Sequence, residues 1–302
     1  MKNKLPNFLI VGAAKSGTSS LHQYLLQHPD IFMPTFNKDG VSVKEPQFLI
    51  KSKVEKRLHF GIWEWKEYLS IFEGVKDQNV IGEASVFYLY YYKEAIKNIK
   101  SRLGNDVKII ILLRNPVDRA FSAFLHVSKS LKESLSFEDA LDQEEGRLEK
   151  DLSLTPMVMY KGMGMYYSMV KAYKKEFKNV HVVIYEDFRD KTNITLDSIF
   201  KFLDVIPIEK LDFSLRHNVG GKEWKNINMK NLFQKDNLLK SIYFKLFPRI
   251  VKDKIKKKLL YLSTNKARTM NNKTKDSLKS FFKEDINSLS NLIQRDLTHW
   301  TR

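Results

Sequence analysis

Residues 8–19 read Phe8-Leu-Ile-Val-Gly12-Ala-Ala-Lys15-Ser-Gly17-Thr-Ser19. An apolar run of strand character breaks into a turn. A helical pattern follows over Thr18–Gln27, with Leu21, Tyr24 and Leu25 on one face. Gly12 and Gly17 stand at the G-x-x-x-x-G spacing of a phosphate cradle, where backbone N–H groups and a helix N-terminus face an anion. A loop built for triphosphate hydrolysis carries lysine directly after the second glycine, but here that place is taken by Thr18. The lysine sits inside the turn, at Lys15. A cation there still meets a phosphate, but the register that seats a metal-bound triphosphate is lost. The turn therefore points to a nucleotide with a 5′-phosphate end and to chemistry other than triphosphate hydrolysis.

The second decisive stretch is Val107-Lys-Ile-Ile-Ile-Leu-Leu-Arg114-Asn-Pro-Val-Asp-Arg119. Where a triphosphatase strand commonly ends in a metal-holding acid, this one ends in Arg114. Ser122 follows on the next helix. Ligands of open α/β sheets bind beyond the carboxyl ends of the strands, so Arg114 is expected to face the crevice that Lys15 faces. A guanidinium fork with a neighbouring hydroxyl suits a second phosphate. A helix-capping or surface ion pair is the alternative for Arg114 taken alone.

Further strand candidates are Val80–Gly82 and Val180–Tyr185, and further helices are Asp118–Ser128, one capped by Ser136, one entered from Gly162 and ending near Phe177, and Thr192–Leu203. Alternation of short apolar runs with helical patterns predicts an α/β fold, a central parallel sheet flanked by helices. From about Leu211 the chain becomes Lys/Asn-rich. Leu211–Trp224 reads as a functional loop, Lys252–Lys258 as a basic helix, and Leu278, Phe282, Ile286, Leu289, Ile293, Leu297 and Trp300 as the apolar stripe of a last helix. The expected organisation is one domain over 1–302, with an α/β core to 210 and a covering loop and helices over 211–302.

The net charge is +17, from 52 Lys and Arg against 35 Asp and Glu, which favours anionic partners. Cysteine is absent, which excludes a disulfide framework, a thiolate zinc site and a cysteine nucleophile. No apolar run approaches the ~20 residues of a membrane span and none reads as a signal peptide, so a soluble, cytoplasmic protein is expected, with peripheral membrane contact left open. No metal-ligand cluster stands out.

Together the two stretches reach a family. Gly12-Ala-Ala-Lys-Ser-Gly-Thr-Ser-Ser-Leu21 resembles the 5′-phosphosulfate loop of sulfotransferases, and Leu113-Arg-Asn-Pro-Val-Asp-Arg-Ala-Phe-Ser122 resembles their 3′-phosphate signature. Similar short matches are His28-Pro29, Lys44-Glu-Pro-Gln-Phe48, Gly82-Glu-Ala-Ser85, Tyr185-Glu-Asp187 and Phe202-Leu203. His217-Asn-Val-Gly-Gly-Lys222 resembles the loop that closes over the nucleotide in bacterial and glycan-type members.

The resemblance implies a P-loop-like sulfotransferase fold with a helical C-terminal part. The implied donor is 3′-phosphoadenosine-5′-phosphosulfate (PAPS), leaving adenosine 3′,5′-bisphosphate (PAP). The acceptor would be a hydroxyl or amine, expected on a carbohydrate or glycolipid, with a small alcohol or phenol as the alternative and no nucleic-acid partner. Lys15, Ser16, Gly17, Thr18 and Ser19 would hold the 5′ end, Arg114 and Ser122 the 3′-phosphate, and Gly220, Gly221 and Lys222 the adenine side. Glu45 matches the acidic base of heparan-type members, although a loop glutamate paired with Lys44 is its plainer reading. Glu83 and His126 are the other candidates for acceptor contact or proton transfer, His126 equally as a structural residue. The chain departs from some heparan-type members at Ala84, where they carry lysine. Outside the family, a nucleotide kinase is disfavoured by Thr18 and Arg114, and a basic binding protein by the intact Lys15, Arg114 and Ser122.

Overall fold

Every residue of the run Phe8–Gly12 is buried, and it forms β1, the middle strand of the sheet. A computed structural model of the chain describes residues 4–37, 40–129, 133–208, 210–213 and 269–302, and the backbone of 222–224 and 264–266. Between β1 and the sheet's next long strand lie α1 (Thr18–Leu25), β2 (Ile31–Phe32), a 3-10 turn at Phe48–Ile50, α2 (Lys51–Val54) and α3 (Trp65–Ser70). Then come β3 (Val80–Ala84), α4 (Tyr92–Arg102), β4 (Lys108–Leu113), α5 (Pro116–Lys129), α6 (Phe137–Asp142) and α7 (Arg147–Lys150). The core closes with α8 (Tyr166–Glu176), β5 (Val180–Ile184), α9 (Tyr185–Asp190) and α10 (Thr192–Leu203). Two short strands, β6 (Lys222–Trp224) and β7 (Thr264–Lys266), pair antiparallel, and α11 (Asn272–Ile293) follows.

The five-stranded sheet is parallel throughout, in the order β2-β3-β1-β4-β5. Parallel strands covered on both faces need apolar side chains on both, which is why β1 and β4 read as unbroken apolar runs. Side chains alternate across the pleat. Phe8, Ile10, Ile110 and Leu112 point into a core shared with Leu21, Tyr24 and Leu25 of α1 and with Leu196, Ile199, Phe200 and Leu203 of α10. Leu9, Val11, Ile109 and Ile111 point into the larger core opposite, packed by α4, α5, α8 and α11.

The apolar stripe of α11 enters that larger core through Leu278, Phe282, Ile286 and Leu289, followed by Leu297 and Trp300 beyond the helix end. Each such side chain contributes roughly 1.5–3 kcal/mol on burial. Asp285, on the same face, accepts the Tyr166 and Tyr167 amides at 2.8 and 3.2 Å and so caps the N-terminus of α8 from a distance. The carbonyl of Trp300 accepts from Asn115 at 3.3 Å, tying the chain's end to the loop after β4.

Element boundaries differ from the sequence reading in small, explicable ways. Helix α5 begins at Pro116 rather than Asp118, since proline is well placed in a first turn where no N–H partner is needed. Ser136 caps α6, accepting the Asp139 amide at 3.1 Å. Tyr185 opens α9 instead of ending β5. Lys222–Trp224, read as loop, is a strand. Residues 214–221 of the expected covering loop and the expected helix Lys252–Lys258 lie outside the described residues. Among the described residues no helix is long and apolar enough to cross a membrane.

Candidate active site

The strand order reverses direction of growth at β1, with β3 on one side and β4 on the other, which places a crevice beyond the carboxyl ends of β1 and β4. The turn after β1 fills one wall of it. Gly17 has φ +91°, and a Cβ there would lie 3.0 Å from the Tyr185 ring, so the position needs glycine for both reasons. Lys15 itself sits at φ +70°, a left-handed conformation uncommon for a residue with a Cβ. No side chain caps α1, and its first turn holds no acid. The helix start is thus left for an external anion. The Ser16 hydroxyl is buried in the turn without a hydrogen-bond partner, an orphan that a phosphate oxygen would satisfy.

The Lys15 ammonium is brought down to about 8, by burial first and then by Lys129 and Arg114, with Glu45 acting the other way. Arg114 leaves the end of β4 and donates through Nη1 to the Lys15 carbonyl at 3.2 Å. Its guanidinium lies 4.9 Å from the centre of the Tyr185 ring, and its own carbonyl accepts from the Tyr166 hydroxyl at 3.0 Å. Ser122 is half-buried on α5.

Glu45 is held at both oxygens. Lys44 Nζ reaches Oε1 at 2.9 Å and Gln47 Nε2 reaches Oε2 at 3.1 Å. Lys44 also donates to Ser19 Oγ at 3.0 Å, so the acid-bearing loop is joined to the first turn of α1. Gln47 is fully buried at φ +57°, and its backbone N–H donates to Ser85 Oγ at 3.0 Å. His126 lies on α5 as a solvent-exposed residue. Desolvation and then the repulsion of Lys15 and Lys129 bring its imidazole down to about 4, so the ring is neutral near pH 7.

Glu83 stands apart. It is the last but one residue of β3 and has no exposed surface, accepting from Tyr68 at 2.7 Å and from Ser85 at 2.6 Å. Burial raises its carboxyl to about 7, against the opposing pull of the Ser85, Tyr68 and Tyr88 hydroxyls.

The sulfotransferase domain model matches residues 5–282. The chain belongs to the sulfotransferase family. A crystal structure of a sulfotransferase from Alicyclobacillus acidocaldarius superposes with a TM-score of 0.70 at 29% identity, covering 99% of this chain and all of that one. The membrane-associated sulfotransferase kil1 of Dictyostelium discoideum is 30% identical over 151 residues, 48% of this chain and 29% of its own length. The human bifunctional heparan sulfate N-deacetylase/N-sulfotransferase 3 is 27% identical over 216 residues, 68% of this chain and 23% of its own. Human carbohydrate sulfotransferase 15 is 22% identical over 258 residues, 68% of this chain and 45% of its own. This sulfotransferase therefore spans less than half the length of those three relatives.

The expected Lys15, Ser16, Gly17, Thr18, Ser19 and Arg114 are brought together at the strand ends, and Glu45 and His126 share the electrostatic field of Lys15. Glu83 is sealed behind Ser85 and Tyr68. Gly220 and Gly221 lie outside the described residues, and of Lys222 only the backbone is described. Sequence reasoning passed over Lys129, although it follows His126 and Ser122 at helical spacings of three and seven and so shares their face. It also treated Lys44 only as an ion-pair partner. That pair is present, at 2.9 Å, but Lys44 holds Ser19 as well.

Proposed function

We propose that this sulfotransferase takes its sulfuryl group from PAPS and delivers it to a hydroxyl of a carbohydrate or glycolipid. The observation that carries the reading is the junction of the Lys15 turn with Arg114, two anion-binding elements meeting at one crevice. The orphaned Ser16 hydroxyl, the uncapped start of α1 and the left-handed Gly17 fit a 5′-phosphate end. Arg114 with Ser122 fits the 3′-phosphate, and Gly220, Gly221 and Lys222 are assigned to the adenine side on the sequence match alone. PAPS supplies an activated sulfuryl group whose departing phosphate gains negative charge.

The chain's own residues do the rest. Lys15, preorganised among other cations, offsets the charge that develops at the 5′ end. Glu45, held between Lys44 and Gln47, accepts the acceptor's hydroxyl proton. His126, neutral near pH 7 and within the field of Lys15 and Glu45, is assigned a second polar contact to the acceptor. A carbohydrate acceptor is supported by the names of the heparan sulfate and carbohydrate relatives.

Incubation with sulfate-labelled PAPS and a panel of heparan-type glycans, glycolipids and phenols tests this. Label on glycan or glycolipid is expected. Label confined to phenols moves the acceptor class, and no transfer to any acceptor contradicts the assignment.

A further inference from the structure

We infer that Lys44 reads the transferable sulfonate of the donor and uncovers Glu45 in doing so. This rests on the PAPS reading above and on Glu45 as its base.

The geometry begins with a conflict. Glu45 is held by two donors, Lys44 at one oxygen and Gln47 at the other, and only one of them is charged. A proton arriving at the carboxylate is repelled by the Lys44 ammonium at 2.9 Å unless that ammonium moves away. Gln47 is fixed: it is fully buried, its backbone N–H donates to Ser85 Oγ, and Ser85 in turn donates to the buried Glu83, which Tyr68 holds from α3. That side is an anchor. Lys44 is the opposite kind of residue, with a flexible four-carbon stem, three donors and a side chain 20% exposed.

Position then says where Lys44 goes. A group passing from the donor's 5′-phosphate to an acceptor activated by Glu45 must lie between the cradle and Glu45. Lys44 spans that interval, bonded to Ser19 Oγ in the first turn of α1 on one side and to Glu45 Oε1 on the other. The balance of charge favours the move. Lys129, Arg114 and Lys44 all repel the Lys15 ammonium, and Glu45 is the acid that offsets them there. A sulfonate joined to a phosphate offers Lys44 more negative charge than one carboxylate does. With the ammonium on the sulfonate, Gln47 still holds Oε2 while Oε1 is open to the acceptor. Donor arrival thereby arms the base, and an acceptor meeting the empty site finds Glu45 capped.

PAP lacks the sulfonate, so comparison of the two nucleotides isolates the role in binding alone. Titration calorimetry of the full chain with PAPS and with PAP is expected to show Lys44→Met losing about tenfold in affinity for PAPS, the size of one charged hydrogen bond, with PAP binding kept within about twofold. Lys44→Gln, which retains a polar end without charge, is expected to behave as Lys44→Met does. Retained PAP binding also reports an intact fold in each variant. Equal losses for both nucleotides, or undiminished PAPS binding, overturn the inference while leaving the donor assignment standing. A wild-type chain that binds neither nucleotide removes the donor assignment and this inference with it.

Discussion

The Arg114 guanidinium donates to the backbone carbonyl of Lys15 at 3.2 Å, across 99 residues of sequence. The contact locks the end of β4 to the turn after β1, so the groups assigned to the two phosphates of one nucleotide are set at a fixed separation before any ligand arrives. Preorganisation of this kind is where most of the charge stabilisation in group transfer originates.

Lys15→Ala is therefore expected to lower turnover by roughly 10²–10³ while the thermal midpoint stays near that of the parent. A pH dependence accompanies it. The Lys15 ammonium of the free protein titrates at about 8, and a bound phosphate favours the charged form. PAP affinity is then full below pH 8 and falls as pH rises through it, about tenfold by pH 9. Calorimetry across pH 6.5–9 checks this, and Lys15→Ala should show no such decline. A flat wild-type profile would place Lys15 away from the phosphate.

Arg114→Ala or Ser122→Ala should weaken PAP much more than adenosine 5′-phosphate, because only PAP carries the 3′-phosphate. The expected loss for PAP is about tenfold or more, the worth of a charged hydrogen bond. Equal losses in calorimetry for the two nucleotides would show that these residues serve the 5′ end or the fold.

Much of this was legible in the residues themselves. Strands β1 and β4 declare themselves because a doubly covered parallel strand must be apolar on both faces, and α10 was read at its observed limits, Thr192–Leu203. Lys15 and Arg114 were placed together because both follow the carboxyl ends of strands of an open parallel sheet, where ligands bind. What escaped was contact between distant segments. Strand β2 is two residues long, too short for any period to show. Nothing in the spacing of Tyr68 and Glu83 announces that α3 lays a hydroxyl on a carboxylate at the end of β3. His28, part of a family match, turns out to bind the Ile206 carbonyl at 2.9 Å and the Asp30 amide at 3.1 Å, roles that close the turn after α1.

Glu45→Gln keeps the shape of the side chain and removes its basicity, so kcat should fall by roughly 10²–10⁴ with donor affinity preserved. His126→Ala and Glu83→Gln, assayed with the same acceptor, should each retain more activity than Glu45→Gln. An active Glu45→Gln beside a silent His126→Ala would transfer the role of base to His126.

Glu83 gives a prediction in stability. Its carboxyl titrates at about 7 in the folded chain against an ordinary 4.5, because burial outweighs the Ser85, Tyr68 and Tyr88 hydroxyls and Glu45 adds repulsion. The folded state therefore binds the extra proton between those values, and the contribution of Glu83 is full below pH 4.5 and lost as pH rises towards 7. Glu83→Gln cannot titrate. Its thermal midpoint relative to the parent should climb between pH 4.5 and 7 and level off above. A constant difference across that range would mean that Glu83 is ionised throughout.

A crevice at β1 and β4 that takes a 3′-phosphorylated adenine nucleotide, without the register for a metal-bound triphosphate, must distinguish PAP from ATP–Mg²⁺. Thermal unfolding with PAP in one arm and ATP–Mg²⁺ in the other reads that difference. A ligand at about a hundredfold excess over its Kd should raise the midpoint by about 5 °C in a chain of this size. That rise is expected with PAP and no shift with ATP–Mg²⁺, whereas a rise with ATP–Mg²⁺ and none with PAP would rule out a site for the 3′-phosphorylated nucleotide.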